Sequence, residues 1–175
     1  MKKIPTLFVR DQKTHKVINK VVPGCGWVLR GEGTPTRKYD GTCVMFDGNK
    51  WWARREVKAG KTPPEMFVKE DYDELTRKTV GWVPASLSDW WPLIVEASAE
   101  RKFPKRIYEL VGPKVNGNPE GYETHELIPH GEFTIGDAPR TFDALRDYLT
   151  HDFPFEGIVW HHENGRMAKL KVKDF

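Results

Sequence analysis

The sequence predicts an α+β protein in which antiparallel strands dominate and a few helices pack against them. The first third of the 175 residues holds short β-prone runs separated by polar, Gly or Pro turns. An apolar run at 42–46 (TCVMF), an Asp-Gly-Asn turn and a return at 51–54 predict a hairpin. Helical patterns are concentrated in the middle of the chain and before residue 150. This mixture is typical of antiparallel sheets flanked by helices.

Further strands are predicted where β-branched and aromatic residues cluster between turns. In chain order the predicted strands are 6–10, 16–22, 26–29, 42–46, 51–54, 106–111, 157–161 and 167–172. A turn at 163–165 (Glu-Asn-Gly) joins the last two strands. A loop rich in Gly, Asn and Pro follows the 106–111 strand through residue 121.

Three segments carry helical signals. Residues 64–75 predict a short helix or turn, residues 88–102 a helix, and residues 141–149 a second helix. Ser88 and Thr141 can cap these two helices, and a proline early in the first of them is tolerated in the first turn. The side chains expected to face the core are Ile94, Val95 and Ala99 in one helix and Phe142, Leu145 and Leu149 in the other.

Composition and length suit one domain spanning residues 1–175, with a core that needs no disulfides. Apolar residues make up 38%, charged residues 30%, and the net charge is only +3. No stretch is apolar enough to cross a membrane, and the N-terminus lacks the apolar run of a signal peptide. Two widely spaced cysteines predict neither a zinc site nor a disulfide framework. We therefore expect a cytoplasmic (intracellular) protein.

A Lys38-Tyr39-Asp40-Gly41 segment precedes the apolar strand at 42–46. A lysine amine is a nucleophile only when neutral, and its ordinary pKa is about 10.4. Burial or neighbouring cations must lower that pKa before the amine can attack a carbonyl or a phosphorus. Alone, this short pattern is also common at surface turns.

Two acidic residues and a pair of lysines accompany predicted strands. Glu109 lies inside an apolar strand and Glu156 at the mouth of another, where a carboxylate needs a partner, a metal-bound water or a ligand. Lys169 and Lys171 alternate, so both amines lie on one face of a strand. An anion such as phosphate would relieve their repulsion, although an exposed edge strand also uses lysine against aggregation. The six histidines are expected to form loop or surface hydrogen bonds rather than to bind metal.

In their order, these segments resemble the covalent nucleotidyltransferases, which are the ATP-dependent DNA and RNA ligases and the mRNA capping enzymes. Residues 38–41 look like motif I and 108–112 (YELVG) like motif III. Residues 156–159 (EGIV) look like motif IV and 169–171 (KLK) like motif V. Within this superfamily, the sequence more closely resembles small RNA ligases. The segments that look like elements of that family are 32–43, 112–119 and 125–131 (HELIPHG).

The resemblance implies a nucleotidyltransferase (ligase adenylation) domain acting as an ATP-dependent RNA ligase. Lys38 would become lysyl-AMP, pass AMP to an RNA 5′-phosphate, and a 3′-hydroxyl would then seal the strand. The expected cofactors are ATP and Mg²⁺ or Mn²⁺, with Glu156 placing the metal. The implied contacts to ATP come from Lys38, Asp40, Arg54, Glu109, Glu156, Lys169 and Lys171.

Some assignments stay open from the sequence. Arg55 is the alternative to Arg54, because neighbouring residues of a strand face opposite sides. Tyr122 and Phe133 are both candidates to stack on adenine.

The alternative functions are a DNA ligase, a GTP-using capping-type transferase and a non-catalytic nucleic-acid-binding module. The expected partner is RNA with 5′-phosphate and 3′-hydroxyl ends, the expected state is a monomer, and no C-terminal oligonucleotide-binding domain is expected in the chain.

Overall fold

The computed structural model describes residues 1–74 and 76–175. It confirms an α+β protein with antiparallel sheets and two α-helices. The strands are β1 (Phe8–Arg10), β2 (Val17–Val21), β3 (Thr34–Lys38), β4 (Thr42–Phe46), β5 (Trp51–Lys58), β6 (Val68–Asp73), β7 (Lys78–Pro84), β8 (Arg106–Val111), β9 (Glu126–Pro129), β10 (Gly157–His161) and β11 (Met167–Lys171). The helices are α1 (Trp91–Ser98) and α2 (Phe142–Thr150), with 3₁₀ turns at Ala85–Leu87 and Val172–Asp174.

The strands form three sheets, and each pairing between the described strands is antiparallel. The largest sheet has the order β6-β7-β5-β4-β8-β9, the second has the order β11-β10-β3, and β1 and β2 form a hairpin. The predicted hairpin at β4–β5 is present, with Val44 opposite Ala53. The β10–β11 hairpin is present as well, closed by the predicted turn.

The chain divides into two compact units, each with its own core. The first unit comprises residues 1–3 and 40–130 and contains the six-stranded sheet. One face of that sheet and helix α1 bury a cluster that includes Val44, Tyr108, Leu110 and Ile94. Alternation along β4 and β8 sends the neighbouring side chains, among them Glu109, to the opposite face.

The second unit comprises residues 4–39 and 131–175 and contains the three-stranded sheet, the β1–β2 hairpin and α2. Its core includes Leu7, Trp27, Leu145, Ile158 and Trp160. Ile158 and Trp160 project into this core from β10, and the alternate residues Gly157 and Val159 belong to the opposite face of the sheet.

Two predicted segments have a different structure, and the strands β3, β7 and β9 were not predicted. Residues 26–29 form turns instead of a strand, with Val28 N–H donating to the Cys25 carbonyl at 3.1 Å. Trp27 and Val28 are both fully buried, which successive residues of a one-faced strand cannot be. Residues 64–75 turn at 65–66 and then form β6, whose polar residues pair with β7; residue 75 lies outside the described residues.

The first helix is shorter than predicted, and its cap differs. The helix begins after Trp90. The Ser88 hydroxyl donates to the Ala85 carbonyl at 2.8 Å and does not cap the helix. It ends at Ser98, since Ala99 leaves helical geometry with ψ 134°. Val95 is exposed, and Ala99 lies outside the helix and is exposed too. The buried residues are Leu93, Ile94 and Ala97.

The second helix matches the prediction closely. Thr141 occupies the cap position with extended geometry, although its side chain makes no capping hydrogen bond. Leu145 and Leu149 are buried as expected. Among the residues that the structure describes, no helix combines the length and the apolar character needed to span a membrane. The single domain over 1–175, the monomeric state and the cytoplasmic location stay predictions.

Candidate functional site

Three lysines lie on one face of the three-stranded sheet. Lys38 ends β3 opposite Gly157 of β10, and Gly157 in turn lies opposite Lys171 of β11. Lys169 is two residues before Lys171 and therefore leaves the same face. Directly opposed residues of antiparallel strands share a face. The strand register therefore places Lys38 and Lys171 in one cross-strand row and Lys169 in the adjacent row of the same face.

Gly157 lies in the row between Lys38 and Lys171. A Cβ built at this position would be 2.2 Å from the Leu170 carbonyl oxygen, far inside van der Waals contact. Glycine is therefore needed for the close approach of β10 and β11 at this point. It also leaves no side chain between the two lysines in that row.

The Glu156 carboxylate joins Lys38 to Lys171. The Lys38 ammonium donates to one carboxylate oxygen, Oε2, and the Lys171 ammonium donates to the other, Oε1. The three side chains are 18%, 10% and 19% exposed for Lys38, Glu156 and Lys171 respectively. Burial raises the pKa of Glu156, but the charges and hydrogen bonds of Lys38 and Lys171 outweigh it and hold that pKa below its ordinary value. The carboxylate is therefore ionised at neutral pH.

Buried backbone contacts fix the two late lysines. The Lys171 amide donates to Asp174 Oδ2 at 2.9 Å, and Asp174 is fully buried and ion-paired with Arg10. The Lys169 amide donates to the Pro5 carbonyl at 2.9 Å, and its carbonyl accepts from the Leu7 amide at 2.8 Å. The side chains of β11 thus project from a backbone that is held on both sides.

Glu109 and Arg54 share one face of the six-stranded sheet in the first unit. Cys43 lies opposite Glu109, and Met45, on the same face as Cys43, lies opposite Trp52. Arg54 follows Trp52 by two residues and so projects from this face, whereas Arg55 projects from the other and is exposed. The Arg54 guanidinium donates to the Met1 carbonyl. Of the two arginines, the geometry associates Arg54 with the Glu109 face.

Asp40 lies in the same unit as Glu109, held by the loop that follows β8. The Asn116 side-chain amide donates to Asp40 Oδ1 and to the Gly41 carbonyl, each at 3.0 Å. The Asp40 amide donates to Glu120 Oε1 at 2.6 Å. At Gly41 a Cβ would be 2.3 Å from the Leu110 carbonyl oxygen and 2.7 Å from Glu109 Cγ. The glycine of the KYDG segment is therefore required by its close approach to β8.

His130 is a site residue that the sequence reasoning missed. Its Nε2 lies 2.8 Å from Glu109 Oε2, and the two side chains are 21% and 14% exposed. The expectation that histidines form hydrogen bonds fits His125 as well, whose Nδ1 lies 2.9 Å from Glu96 Oε1. A signal was available, because His130 falls within the string 125–131 that carries the RNA-ligase resemblance.

The two aromatic candidates lie in different surroundings. Tyr122 belongs to the loop after β8, where its amide and carbonyl both bond the Asn118 side chain. The exposed Phe133 ring lies 5.8 Å from the Phe155 ring, and the Arg37 guanidinium packs 4.2 Å from the Phe155 ring centre. Arg37 precedes Lys38 on β3 and leaves the sheet on the opposite face. Phe133 therefore packs with side chains from the face away from Lys38.

One family model of known proteins matches about half of the chain. The family model described as RNA ligase 1 matches residues 87–175. The chain belongs to the RNA ligase 1 family. The match contains Glu109, Glu156, Lys169 and Lys171, while Lys38, Asp40 and Arg54 precede it.

Curated relatives agree with the family assignment. The chain is 36% identical over 74 residues to RNA ligase 1 of Danio rerio, and 39% identical over 76 residues to RNA ligase 1 of Pongo abelii. Each alignment covers 38% of this chain and 23% of the relative. RNA ligase 1 of Rattus norvegicus is 33% identical over 91 residues, which cover 45% of this chain and 27% of the relative. The matched segment thus spans about a quarter of the length of these relatives.

Proposed function

We propose that this protein is an ATP-dependent RNA ligase that forms a covalent lysyl-AMP on Lys38. The observation that carries the proposal is the convergence of Lys38, Glu156 and Lys171 on one sheet face, although Lys38 and Glu156 are separated by 118 positions in the chain. Membership of the RNA ligase 1 family supports a ligase acting on RNA. The ATP dependence, the lysyl-AMP and the end chemistry rest on the resemblance of the motifs.

The proposed chemistry has three phosphoryl transfers. The neutral Lys38 amine forms an N–P bond to the α-phosphorus of ATP, pyrophosphate leaves, and the amine loses a proton. An oxygen of the RNA 5′-phosphate then bonds to that phosphorus, and the Lys38 amine leaves and takes up a proton. Finally a 3′-hydroxyl attacks the 5′-phosphate, gives up its proton, and AMP leaves. Such transfers depend on in-line positioning and on neutralising charge.

The Glu156 carboxylate is the shared counter-charge of Lys38 and Lys171. Lys169 and Lys171 would bind the α-phosphate and neutralise part of its negative charge. Each transfer would then proceed in a partly buried site where charge interactions are stronger than in water.

The donor set at Glu156 suits a hydrated Mg²⁺ or Mn²⁺. Its carboxylate is ionised and partly buried, and Mg²⁺ is commonly bound through one or two carboxylates while it keeps several waters. The metal would supply neutralisation of the phosphate charge. Ribose contacts fall to Glu109 and Arg54, and an orienting role falls to Asp40, on the strength of the motif resemblance.

The experiment is a mass spectrum of the intact protein after incubation with ATP and Mg²⁺. We expect a mass increase of one AMP, lost in Lys38→Ala and retained in the exposed control Lys13→Ala. Lys38→Arg keeps the positive charge opposite Glu156 and should also fail, because a guanidinium does not deprotonate in proteins. An adduct that persists in Lys38→Ala would refute the assignment of the nucleophile.

Two further assays separate the alternatives. ATP and GTP offered in parallel distinguish a ligase from a capping-type transferase. Nicked RNA and nicked DNA, offered to the adenylylated protein, distinguish an RNA ligase from a DNA ligase. A chain that binds RNA in a salt-sensitive manner but forms no adduct with either nucleotide would be a non-catalytic binding module.

A further inference from the structure

Three chemically different donors converge on the face of the six-stranded sheet that carries Glu109. Cys43 of β4 lies directly opposite Glu109 of β8, and His130 follows β9, the next strand in the sheet. The Cys43 sulfur, a Glu109 carboxylate oxygen and a His130 ring nitrogen all lie within 4.8 Å of one another. All three residues belong to the first compact unit.

We propose that Cys43, Glu109 and His130 form a binding site for a divalent cation of intermediate softness, such as Zn²⁺. Thiolate, imidazole and carboxylate are the three ligand classes of zinc sites, and three protein ligands leave a position for water or another ligand. Mg²⁺ is a poor candidate here, because it takes oxygen ligands in an octahedral arrangement. The donor chemistry therefore selects the metal as well as the place.

The geometry requires only small movements. Bonds of 2.0–2.3 Å in a tetrahedron put ligand atoms roughly 3.3–3.7 Å apart. Glu109 Oε2 and His130 Nε2, now 2.8 Å apart, must separate by about half an ångström, and the sulfur, within 4.8 Å of both, must approach if it lies at that limit. Rotation about side-chain bonds covers such distances without moving the strands. The metal would replace the hydrogen bond between Glu109 and His130, whose proton would move to His130 Nδ1 or leave to solvent. The Cys43 thiol would also release its proton to solvent.

The backbone around the donors is well held. Cys43 and Glu109 lie on adjacent inner strands of the sheet. The His130 amide donates to the Ile107 carbonyl at 3.1 Å, and the His130 carbonyl accepts from Arg106 at 2.9 Å. A metal would therefore meet three side chains whose origins are fixed before it binds, which lowers the entropic cost of forming the site.

Metal binding has a consequence for the nucleotide. Glu109 is one of the residues that we assign to the ribose, and a metal on its carboxylate would compete with that contact. This consequence rests on the proposed function, whereas metal binding by the three donors does not. A bound Zn²⁺ would then inhibit lysyl-AMP formation at saturating Mg²⁺.

The test is a titration of the full chain with Co²⁺, which takes the same ligands as Zn²⁺ and reports thiolate ligation by a charge-transfer band in the near ultraviolet. We expect one Co²⁺ per chain, displaced by Zn²⁺. Cys43→Ser should abolish the band, and His130→Gln should weaken binding at least tenfold. Cys25→Ser is the matched control, because Cys25 is the second cysteine and lies in the core of the other unit.

The outcomes are separable from those of the adenylylation experiment. Absence of the band in the folded wild-type chain, or its survival in Cys43→Ser, would overturn the metal site, whether or not AMP is transferred. Loss of the band in a Cys25→Ser variant that unfolds like the wild type would do the same. Circular dichroism and thermal unfolding of each variant in the absence of metal establish that the donors, and not the fold, were removed.

Discussion

Replacing Glu156 by glutamine should destabilise the second unit, because the substitution removes a charge at almost constant size. Glu156 is the anion that both Lys38 and Lys171 contact. Without it, two ammonium groups that are less than a fifth exposed lose their counter-charge and repel each other. Glutamine has one acceptor oxygen where the carboxylate has two, and it cannot balance the charge of an ammonium group.

The magnitude follows from the degree of burial. Removing one partner of a fully buried ion pair costs about 3–5 kcal/mol, and the partial exposure of these groups reduces the expected cost to about 2–4 kcal/mol. For a urea dependence of about 2 kcal/mol per molar, the midpoint of unfolding falls by about 1–2 M. Burial also predicts that added salt restores little of the loss.

The assay is urea unfolding followed by tryptophan fluorescence, since Trp27 and Trp160 are buried in the same unit as Glu156. Glu163→Gln is the matched control, because Glu163 is exposed in the β10–β11 turn and its change should stay within about 0.5 kcal/mol. Equal midpoints for Glu156→Gln and the wild type would refute the assignment of the carboxylate as the stabilising counter-charge.

The same pair predicts a pH dependence with a definite sign. The pKa of Glu156 is held below its ordinary value of 4.5 in the folded chain. A lowered pKa contributes stability that is fully present above about pH 4.5 and is lost as the pH falls through the folded-state pKa. The difference between the wild type and Glu156→Gln should therefore be constant near neutrality and should shrink below about pH 4.5.

Two further substitutions test packing near the sites. Gly157→Ala should lower the free energy of unfolding in urea by about 2–3 kcal/mol, because its Cβ would lie 2.2 Å from the Leu170 carbonyl oxygen. The control Gly26→Ala should cost much less, because its Cβ would make only an ordinary contact at 3.5 Å. Similar losses in the two variants would contradict the close-approach argument. Tyr108→Phe should cost about 1 kcal/mol in the same measurement, since the buried hydroxyl donates to the Pro104 carbonyl at 2.7 Å, and an unchanged midpoint would show that this bond contributes nothing net.

Apolar, β-branched strands could be predicted from the sequence because their signal is local. The runs 42–46, 106–111 and 157–161 have the observed bounds, and the α+β class followed from them. The strands that were missed are polar or contain proline. β3 reads Thr-Pro-Thr-Arg-Lys and owes its conformation to pairing with the distant strand β10, whereas the largely exposed β6 owes its conformation to pairing with its neighbour β7.

The candidate residues follow the same division. The ordered motifs specify residue types and their order along the chain, but they specify no contacts. They predicted the candidates Lys38, Glu109, Glu156, Lys169 and Lys171. His130 was missed because its partner, Glu109, is 21 positions away and reaches it only through the pairing of β8 and β9. The choice between Arg54 and Arg55 likewise needed the register of β4 and β5.

The sequence by itself determined the class of fold, the strongest strands and a set of charged residues that could carry phosphoryl chemistry. It could do so because propensity, alternation and motif order are written in neighbouring residues. Only the tertiary structure decided that Glu156 bridges Lys38 and Lys171, and that Cys43, Glu109 and His130 converge. Those contacts depend on strand register, which is set by the packing of the whole sheet and which no local segment encodes.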